Sequence, residues 1–422
     1  MRIAYFVWEY PPLIVGGLGT YASEMVPRLE MFGSQIDVFT LNDGTLRTSE
    51  KIENIDIHRP LIIDGTPVLR QIVSNDLKAW GEHLTMFNKI FAYNYLSATK
   101  LLNELSRQKL YDIAIVHDWL SILSGLLIRQ NTDLPIVFHV HSTEQQRAGG
   151  GSQTIKNLER EMAEKADMII TVSYSMKEHL INIGYPQNKI NVVWNGCNPN
   201  TYRQENVNKS LVSSLKQRYS VQDGEKVVLF IGRLTEIKGI KNLVIGFNEV
   251  LKEYPSTRLV ILGKGEQYDE LVMLIKRFGI SEKVKIRSEF VSEEERIAHY
   301  ALSDLCVFPS LSEPFGIVSL EAMCMKKPIV VGASGISGFK EQVINSGEDQ
   351  TGIHIDGRSP QDIAWGINEI LKDEKKAGEM GERGRKRAEN IFSIDKVASD
   401  TLYLYRKVLE NRNKSLRDMH LM

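Results

Sequence analysis

The feature that most constrains this chain is its repeated alternation of short apolar runs with longer helical stretches. Runs of β character are expected at residues 2–8, 35–40, 112–116, 135–141, 167–172 and 189–194. They resume at 226–231, 257–262, 283–287, 304–308, 328–331 and 352–355. Strands joined through helices pair in parallel, with helices on both faces of the sheet and ligands at the carboxyl ends of the strands. A length of 422 residues leaves room for two such α/β domains. The polar, weakly periodic stretch 200–224 is read as the hinge, giving domains 1–200 and 201–395 and a C-terminal helix over 396–422.

Composition excludes several classes. A net charge of −1 gives no support to nucleic-acid binding, and 42% hydrophobic with 25% charged residues describes a water-soluble globular chain. The three cysteines, Cys197, Cys306 and Cys324, are odd in number and lack metal-site spacing, so a reducing, cytoplasmic setting is expected. The first apolar run, Ile3 to Trp8, is too short for a signal-peptide core, and no window has the length of a transmembrane helix. Peripheral membrane contact stays open.

The most informative stretch is Phe308 to Met323, F-P-S-L-S-E-P-F-G-I-V-S-L-E-A-M. A strand feeds a loop holding Pro309, Pro314 and Gly316, and Ile317 onward is helical. Glu313 precedes the helix, and Glu321 lies about one turn inside it. Roughly 12 Å at most separates the two carboxylates if the intervening backbone is helical, and more if it is extended. That is too wide for a shared proton, but it suits a ligand with a diphosphate over the helix N-terminus, at the backbone of Phe315, Gly316 and Ile317. An isolated E-x7-E is otherwise a capped helix. Upstream, F-I-G-R-L-T-E-I-K-G at 230–239 sets Arg233 and Lys238 after a buried strand. A planar fork of donors and a point charge at a strand's carboxyl end make an anion site. Either is otherwise a solvated surface charge.

In the first half, P-P-L-I-V-G-G-L-G follows the first strand, and Gly16, Gly17 and Gly19 let a ligand approach the backbone. This is not the dinucleotide fingerprint, and a lone glycine turn is more often structural. Pro27 should kink the next helix or shift its start. The stretch Asn75 to Gln108 repeats Trp80, Leu84, Phe87, Phe91 and Tyr95 at helical spacing, a pattern read as core in preference to a membrane or partner surface. His117-Asp118-Trp119 closes one strand and His139-Val140-His141 another, with both histidines of the second on one side. A satisfied core histidine is the default for each. The glycine-rich loop from Ser142 to Lys156 suits a lid on the acceptor side or a segment without function, and Arg147 in it is a candidate acceptor or phosphate contact. In the second half, Gly263-Lys264-Gly265 reads as a turn, and Gly332 to Gly338 with Glu341 as another near the donor.

Together, G-R-L-x3-K-G and E-P-F-G-x4-E over nearly the whole chain resemble glycosyltransferase family 4, the retaining enzymes of the GT-B fold, in wording nearest the glycogen- and starch-synthase-like members. The resemblance implies two doubly wound, Rossmann-like parallel-sheet domains facing each other across a cleft, with the C-terminal helix crossing back to the first. It implies transfer of a hexosyl group, glucosyl first among them, from a nucleotide diphosphate sugar to a hydroxyl acceptor. The acceptor would be an α-glucan or, alternatively, a lipid-linked or small molecule; a GT-B nucleotide-sugar epimerase is the second alternative. By matching positions, Arg233 and Lys238 would meet the diphosphate, Glu313 the sugar hydroxyls with Phe315 and Gly316 beside it, and Glu321 the ribose. Gly16 and Gly17 would lie against the donor phosphate, and His141 at the sugar. The His117-Asp118-Trp119 triplet would lie beside the sugar site, which makes His117 and Asp118, with Arg147 of the glycine-rich loop, the acceptor-side candidates. No metal and no cofactor beyond the donor are then required. The resemblance departs before Gly16, where the synthases usually carry a Lys and Val15 stands here, after Ile14.

Overall fold

The computed structural model describes residues 1–14, 16–72, 82–146, 150–289 and 291–420. Val15, Lys78, Trp80, Arg147 and Gly149, each part of an expectation above, lie outside them. The chain divides into two compact units. Unit 1 is Met1–Val172, Leu180–Val193 and Val397–Met422, and unit 2 is Ser173–His179 and Trp194–Lys396.

Unit 1 is built on eight strands: β1 (Arg2–Phe6), β2 (Gln35–Phe39), β3 (Ser49–Ile52), β4 (Ile55–His58), β5 (Ile113–His117), β6 (Ile136–Val140), β7 (Met168–Thr171) and β8 (Ile190–Val192). Their order is β3-β4-β2-β1-β5-β6-β7-β8. Every pairing is parallel except β3 with β4. Unit 2 carries β9 (Lys226–Ile231), β10 (Thr257–Leu262), β11 (Val284–Arg287), β12 (Leu305–Phe308), β13 (Ile329–Gly332) and β14 (Gly352–Ile355), ordered β11-β10-β9-β12-β13-β14 and parallel throughout. The interior strands are apolar on both faces, as a sheet covered on both sides requires: Ile3 to Phe6, Ile113 to Val116 and Val227 to Phe230 are all buried.

The β3–β4 hairpin was not anticipated. Its outer strand, Ser-Glu-Lys-Ile, is exposed at all four positions, so no apolar run marks it; a charged, short edge is how a sheet avoids pairing with another chain. The polar stretch 200–224 contains a helix, Lys209–Arg218, within unit 2. Pro27 lies inside the helix Gly17–Met31 without ending it.

The long helix Glu82–Ser106 corrects one reading. Leu84 is buried, but Phe87, Phe91 and Tyr95 are 41%, 51% and 51% exposed. The buried stripe is instead Ile90, Tyr93, Asn94, Ser97, Ala98 and Leu101. Polar residues can face inward here because their bonding is supplied: the Asn94 amide donates to Ile90 O and Leu120 O and accepts from Ser124 N, and Tyr93 OH donates to Phe39 O at 3.0 Å. The helix Ile394–His420 buries Val397, Ala398, Leu402, Tyr405 and Val408 and belongs to unit 1 from Val397 onward. Among the described residues no helix is long and apolar enough to cross a membrane.

In unit 2 one guanidinium fixes the helix that carries Glu321. Arg385 donates to Cys324 O (2.6 Å), Pro199 O (2.9 Å) and Tyr202 O, joining the end of helix Ile317–Cys324 to the segment before Lys209. Arg385→Ala strands these carbonyls, and at about 1–3 kcal/mol for each unsatisfied buried group a loss of about 2–4 kcal/mol is expected in urea unfolding of unit 2. A loss below about 1 kcal/mol would show that water replaces the guanidinium without penalty.

Candidate active site

In an open parallel sheet, ligands bind where the strand order reverses, because the loops on either side of that point run to opposite faces and leave a crevice. In unit 2 the reversal falls between β9 and β12. The loops leaving these two strands are G-R-L-T-E-I-K-G and P-S-L-S-E-P-F-G, the two motifs singled out above.

Backbone bonds hold the loops together. Leu311 N donates to Ile237 O at 2.8 Å, and the Lys238 ammonium pairs with Glu313 Oε2, which also accepts from Ser310 Oγ at 3.2 Å. Glu313 is buried and tied on its other side to Ser337, with Glu313 N donating to Ile336 O and Gly338 N to Glu313 O. Arg233, at the carboxyl end of β9, is exposed and makes no ion pair among the described residues. Gly263 is required by the turn beneath it: its φ is +159°, and a Cβ there would stand 1.8 Å from Gly232 O.

Gly316 caps the helix Ile317–Cys324 with φ +91°, and a Cβ would meet the Phe339 ring at 2.3 Å, so only glycine fits. Ile317 and Val318 then begin a helix with no carbonyl behind them, and no acceptor for their N–H groups is found among the described residues. Both are partly exposed. The Phe315 side chain is buried, and its carbonyl accepts from Gln342 Nε2 at 2.7 Å, which fixes the approach to the helix. Unit 2 therefore gathers two cations and free helix amides at one sheet edge, a constellation suited to phosphate oxygens.

Glu321 is placed differently from an open ribose contact. It is 3% exposed; Oε1 accepts from Tyr202 OH at 2.9 Å and Oε2 from Tyr300 OH at 2.8 Å, with Arg296 Nε at 3.5 Å. The carboxylate raises the Arg296 guanidinium above its ordinary value, and burial raises both tyrosines. Sequence spacing carried no sign of these three partners. Glu341, expected near the donor, is used in structure: its carboxylate accepts from Tyr174 N, Ser175 N and Trp194 Nε1.

In unit 1 the order reverses between β1 and β5, which brings the glycine turn and His117-Asp118 to one edge. Gly16 precedes the helix Gly17–Met31, but its N–H donates to Glu9 Oε2 at 2.8 Å. A carboxylate thus stands at this helix N-terminus, a partner that the glycine spacing did not reveal. Asp118 has φ +49°, and its Oδ1 accepts from His141 N (2.7 Å) and Ser142 N (3.3 Å), so it sets the chain path at His141. His139 and His141 share a face, as alternation required, and His117 joins them: its Nδ1 lies 3.1 Å from His141 Nε2. Burial holds His117 and His139 well below the ordinary imidazole value and His141 down to about 3, so all three rings are neutral. Beyond β6, Glu144 Oε1 accepts from Ser152 N, which anchors the described end of the glycine-rich loop. Cavities of about 610 Å³ (Arg2, Gln35, Asp112) and about 260 Å³ (Lys226, Asp304, Pro328) lie at the amino ends of the strands, opposite the carboxyl edge where the loops part.

Burial pushes the Asp118 carboxyl up to about 7, against the opposing effect of its bonds to His141 and Ser142 and with Glu9 adding repulsion. Its ordinary value is about 3.9, so the folded state resists ionising it, and stability is lost as pH rises from about 4 through about 7. Asp118→Asn keeps an oxygen for the His141 N–H and cannot ionise. The stability of the wild type relative to this variant is expected to fall across that window in thermal unfolding. Parallel pH profiles would contradict it.

Residues 15–201 match the family model described as Glycosyltransferase Family 4, and residues 213–387 that of Glycosyl transferases group 1. An uncharacterized glycosyltransferase of Methanocaldococcus jannaschii, MJ1607, is 32% identical over 417 residues, covering 97% of this chain and 99% of that one. A glycogen synthase of Mycobacterium tuberculosis is 25% identical over 413 residues, covering 96% and 94%. Among solved structures, Anabaena Alr3699/HepE in complex with UDP and glucose superimposes with a TM-score of 0.71 at 19% identity, covering 96% of this chain and 100% of that one. The arrangement of two parallel-sheet units, the paired motifs and an end-to-end relative lead to one assignment: the chain belongs to the family 4 glycosyltransferases and has the GT-B fold.

Proposed function

We propose that this glycosyltransferase moves a hexosyl group, glucosyl first among them, from a nucleotide diphosphate sugar to a hydroxyl acceptor with retention at the anomeric carbon. The observation that carries the reading is the anion site of unit 2: Arg233, Lys238 and the free amides of Ile317 and Val318 at the β9/β12 reversal. A leaving diphosphate gains charge as its bond to the sugar breaks, and preorganised cations and amides stabilise that growth without a resident metal. The departing oxygen itself takes the acceptor proton, which allows attack from the face the diphosphate leaves. Retention through a protein nucleophile would instead need two carboxyls about 5 Å apart. The available carboxylates are otherwise engaged: Glu313 pairs with Lys238, and Glu321 with two tyrosines and Arg296.

Glu313 has the role of orienting the sugar hydroxyls, and its salt bridge to Lys238 keeps it aimed. Glu321 reaches a ribose only if a tyrosine hydroxyl yields its place. On unit 1, the neutral His141 ring at the end of β6 serves the sugar, positioned through Asp118, with His117 and Asp118 on the acceptor side. Gly17 is the better donor contact of the glycine pair, because the Gly16 amide is taken by Glu9. The glycogen synthase likeness and the UDP and glucose in the Anabaena protein support a glucosyl donor and an α-glucan acceptor. The three buried free cysteines fit a reducing cytosol.

The test is a panel of ADP-, UDP- and GDP-sugars incubated with the protein, alone and with maltooligosaccharides, with product stereochemistry read by NMR. One donor consumed with an α-linked product is expected; sugar isomerised without acceptor would favour an epimerase and overturn the reading. Arg233→Ala and Lys238→Ala are each expected to lower kcat by about a hundredfold, the scale of losing one preorganised charge stabiliser. Steady-state kinetics showing unchanged turnover in the folded variants would remove both from the mechanism.

A further inference from the structure

Within unit 2 the E-P-F-G turn is joined to one tryptophan by two routes. The first is aromatic: the buried Phe315 ring meets Phe392 edge to face at 6.0 Å between centroids, Phe392 meets Trp194 at 5.3 Å, and Trp194 meets Tyr174 at 6.2 Å. The second is polar and runs through the short helix Phe339–Gln342. That helix underlies the turn, because the Phe339 ring fills the space a side chain at 316 would need and Gln342 Nε2 donates to Phe315 O at 2.7 Å. From the same helix, Glu341 Oε2 accepts from Trp194 Nε1 at 2.7 Å and Tyr174 N at 3.0 Å, and Oε1 accepts from Ser175 N at 3.0 Å. Ser173 closes the circuit: its Oγ accepts from Met176 N at 3.0 Å and donates to Pro314 O, in the turn itself, at 2.7 Å.

Tyr174 and Ser175 open the helix Tyr174–Asn182, so their N–H groups have no carbonyl behind them in the helix, and a carboxylate is the partner that such a helix start favours. Arg387 holds the short helix in place by donating to Glu341 O and Gln342 O, each at 2.7 Å. The chain passes from unit 1 into unit 2 at Ser173 and again at Trp194, and Glu341 bonds beside the first point and at the second. Coupling between sites is carried by contiguous packed and hydrogen-bonded groups of this kind. We propose that Glu341 is a positioning residue for the donor: through the short helix its carboxylate ties the E-P-F-G turn, with the Ile317 and Val318 amides, to Trp194 and Tyr174, so that a diphosphate bound at the turn is felt at Trp194. The proposal rests on the diphosphate reading of that turn. Glu341 spends both oxygens on protein donors, so it acts on the donor through the turn and not by contact.

The test uses the full chain with UDP and ADP as probes, and reads Trp194 as the difference in emission between a protein and the same protein carrying Trp194→Phe. Saturating nucleotide is expected to shift the Trp194 emission of the wild type. Glu341→Gln keeps one acceptor oxygen for three donors; it is expected to weaken nucleotide binding in calorimetry by about tenfold, the scale of one net hydrogen bond, and to lose the emission shift at saturation. Unchanged affinity in folded Glu341→Gln overturns the proposal, and so does a shift that persists there. Where that variant does not fold, Trp194→Phe decides: it removes one donor and keeps an aromatic ring, binding is expected to weaken by about threefold, and unchanged affinity overturns the proposal. Wild-type protein that binds nucleotide with Trp194 emission unmoved removes the role of Glu341 and leaves the diphosphate site standing; wild-type protein that binds neither nucleotide removes both.

Discussion

Everything in this molecule follows from pairing strands in parallel. A parallel strand cannot return through a hairpin, so each is followed by a crossover, and all carboxyl ends in a sheet emerge at one edge. Both faces are then covered and both must be apolar, which is why Ile3 to Phe6 in β1, Ile113 to Val116 in β5 and Val227 to Ile231 in β9 are unbroken runs of aliphatic and aromatic residues. The same rule makes a site: where the strand order turns, neighbouring loops part, and polar backbone that would be paired elsewhere is left to meet a ligand. The β1/β5 and β9/β12 reversals each fall beside loops rich in glycine, histidine or paired charge.

The two edges differ in sign. At β9/β12 the excess is cationic, because Arg233 is uncommitted among the described residues and the Ile317 and Val318 amides point out of a helix start. At β1/β5 the nearest helix start is already met by Glu9, and the strand ends carry three neutral imidazoles and a carboxyl that burial holds near neutrality. Burial at the β1/β5 edge suppresses charge, whereas in the second unit it is offset by pairing: Lys238 with Glu313, Arg296 with Glu321. A diphosphate is drawn to the second kind of surface, and a neutral sugar to the first.

Much of this was legible because it is local. Strand positions, the E-P-F-G turn and the Arg233/Lys238 pair depend on runs and spacings of a few residues, and twelve of the fourteen strands lie where apolar runs stand. What stayed hidden depends on partners far along the chain. Nothing near Glu321 announces Tyr202 and Tyr300, and His139 meets Tyr405 across 266 positions. The helix Glu82–Ser106 misled for a related reason: Asn94 and Ser97 read as surface residues until their bonding partners on other elements are seen, and Phe91 and Tyr95 take the solvent side in their place. The β3 edge was silent because an exposed strand has no burial pattern to betray it.

The central claim is that the charge of a nucleotide's diphosphate is met at the β9/β12 edge of unit 2. A crystal structure of the protein soaked with UDP or ADP tests it most directly. The account predicts phosphate oxygens within hydrogen-bond distance of the Arg233 guanidinium, the Lys238 ammonium and the amides of Ile317 and Val318. A diphosphate bound at another edge of the sheet, with those groups still facing water, would contradict it.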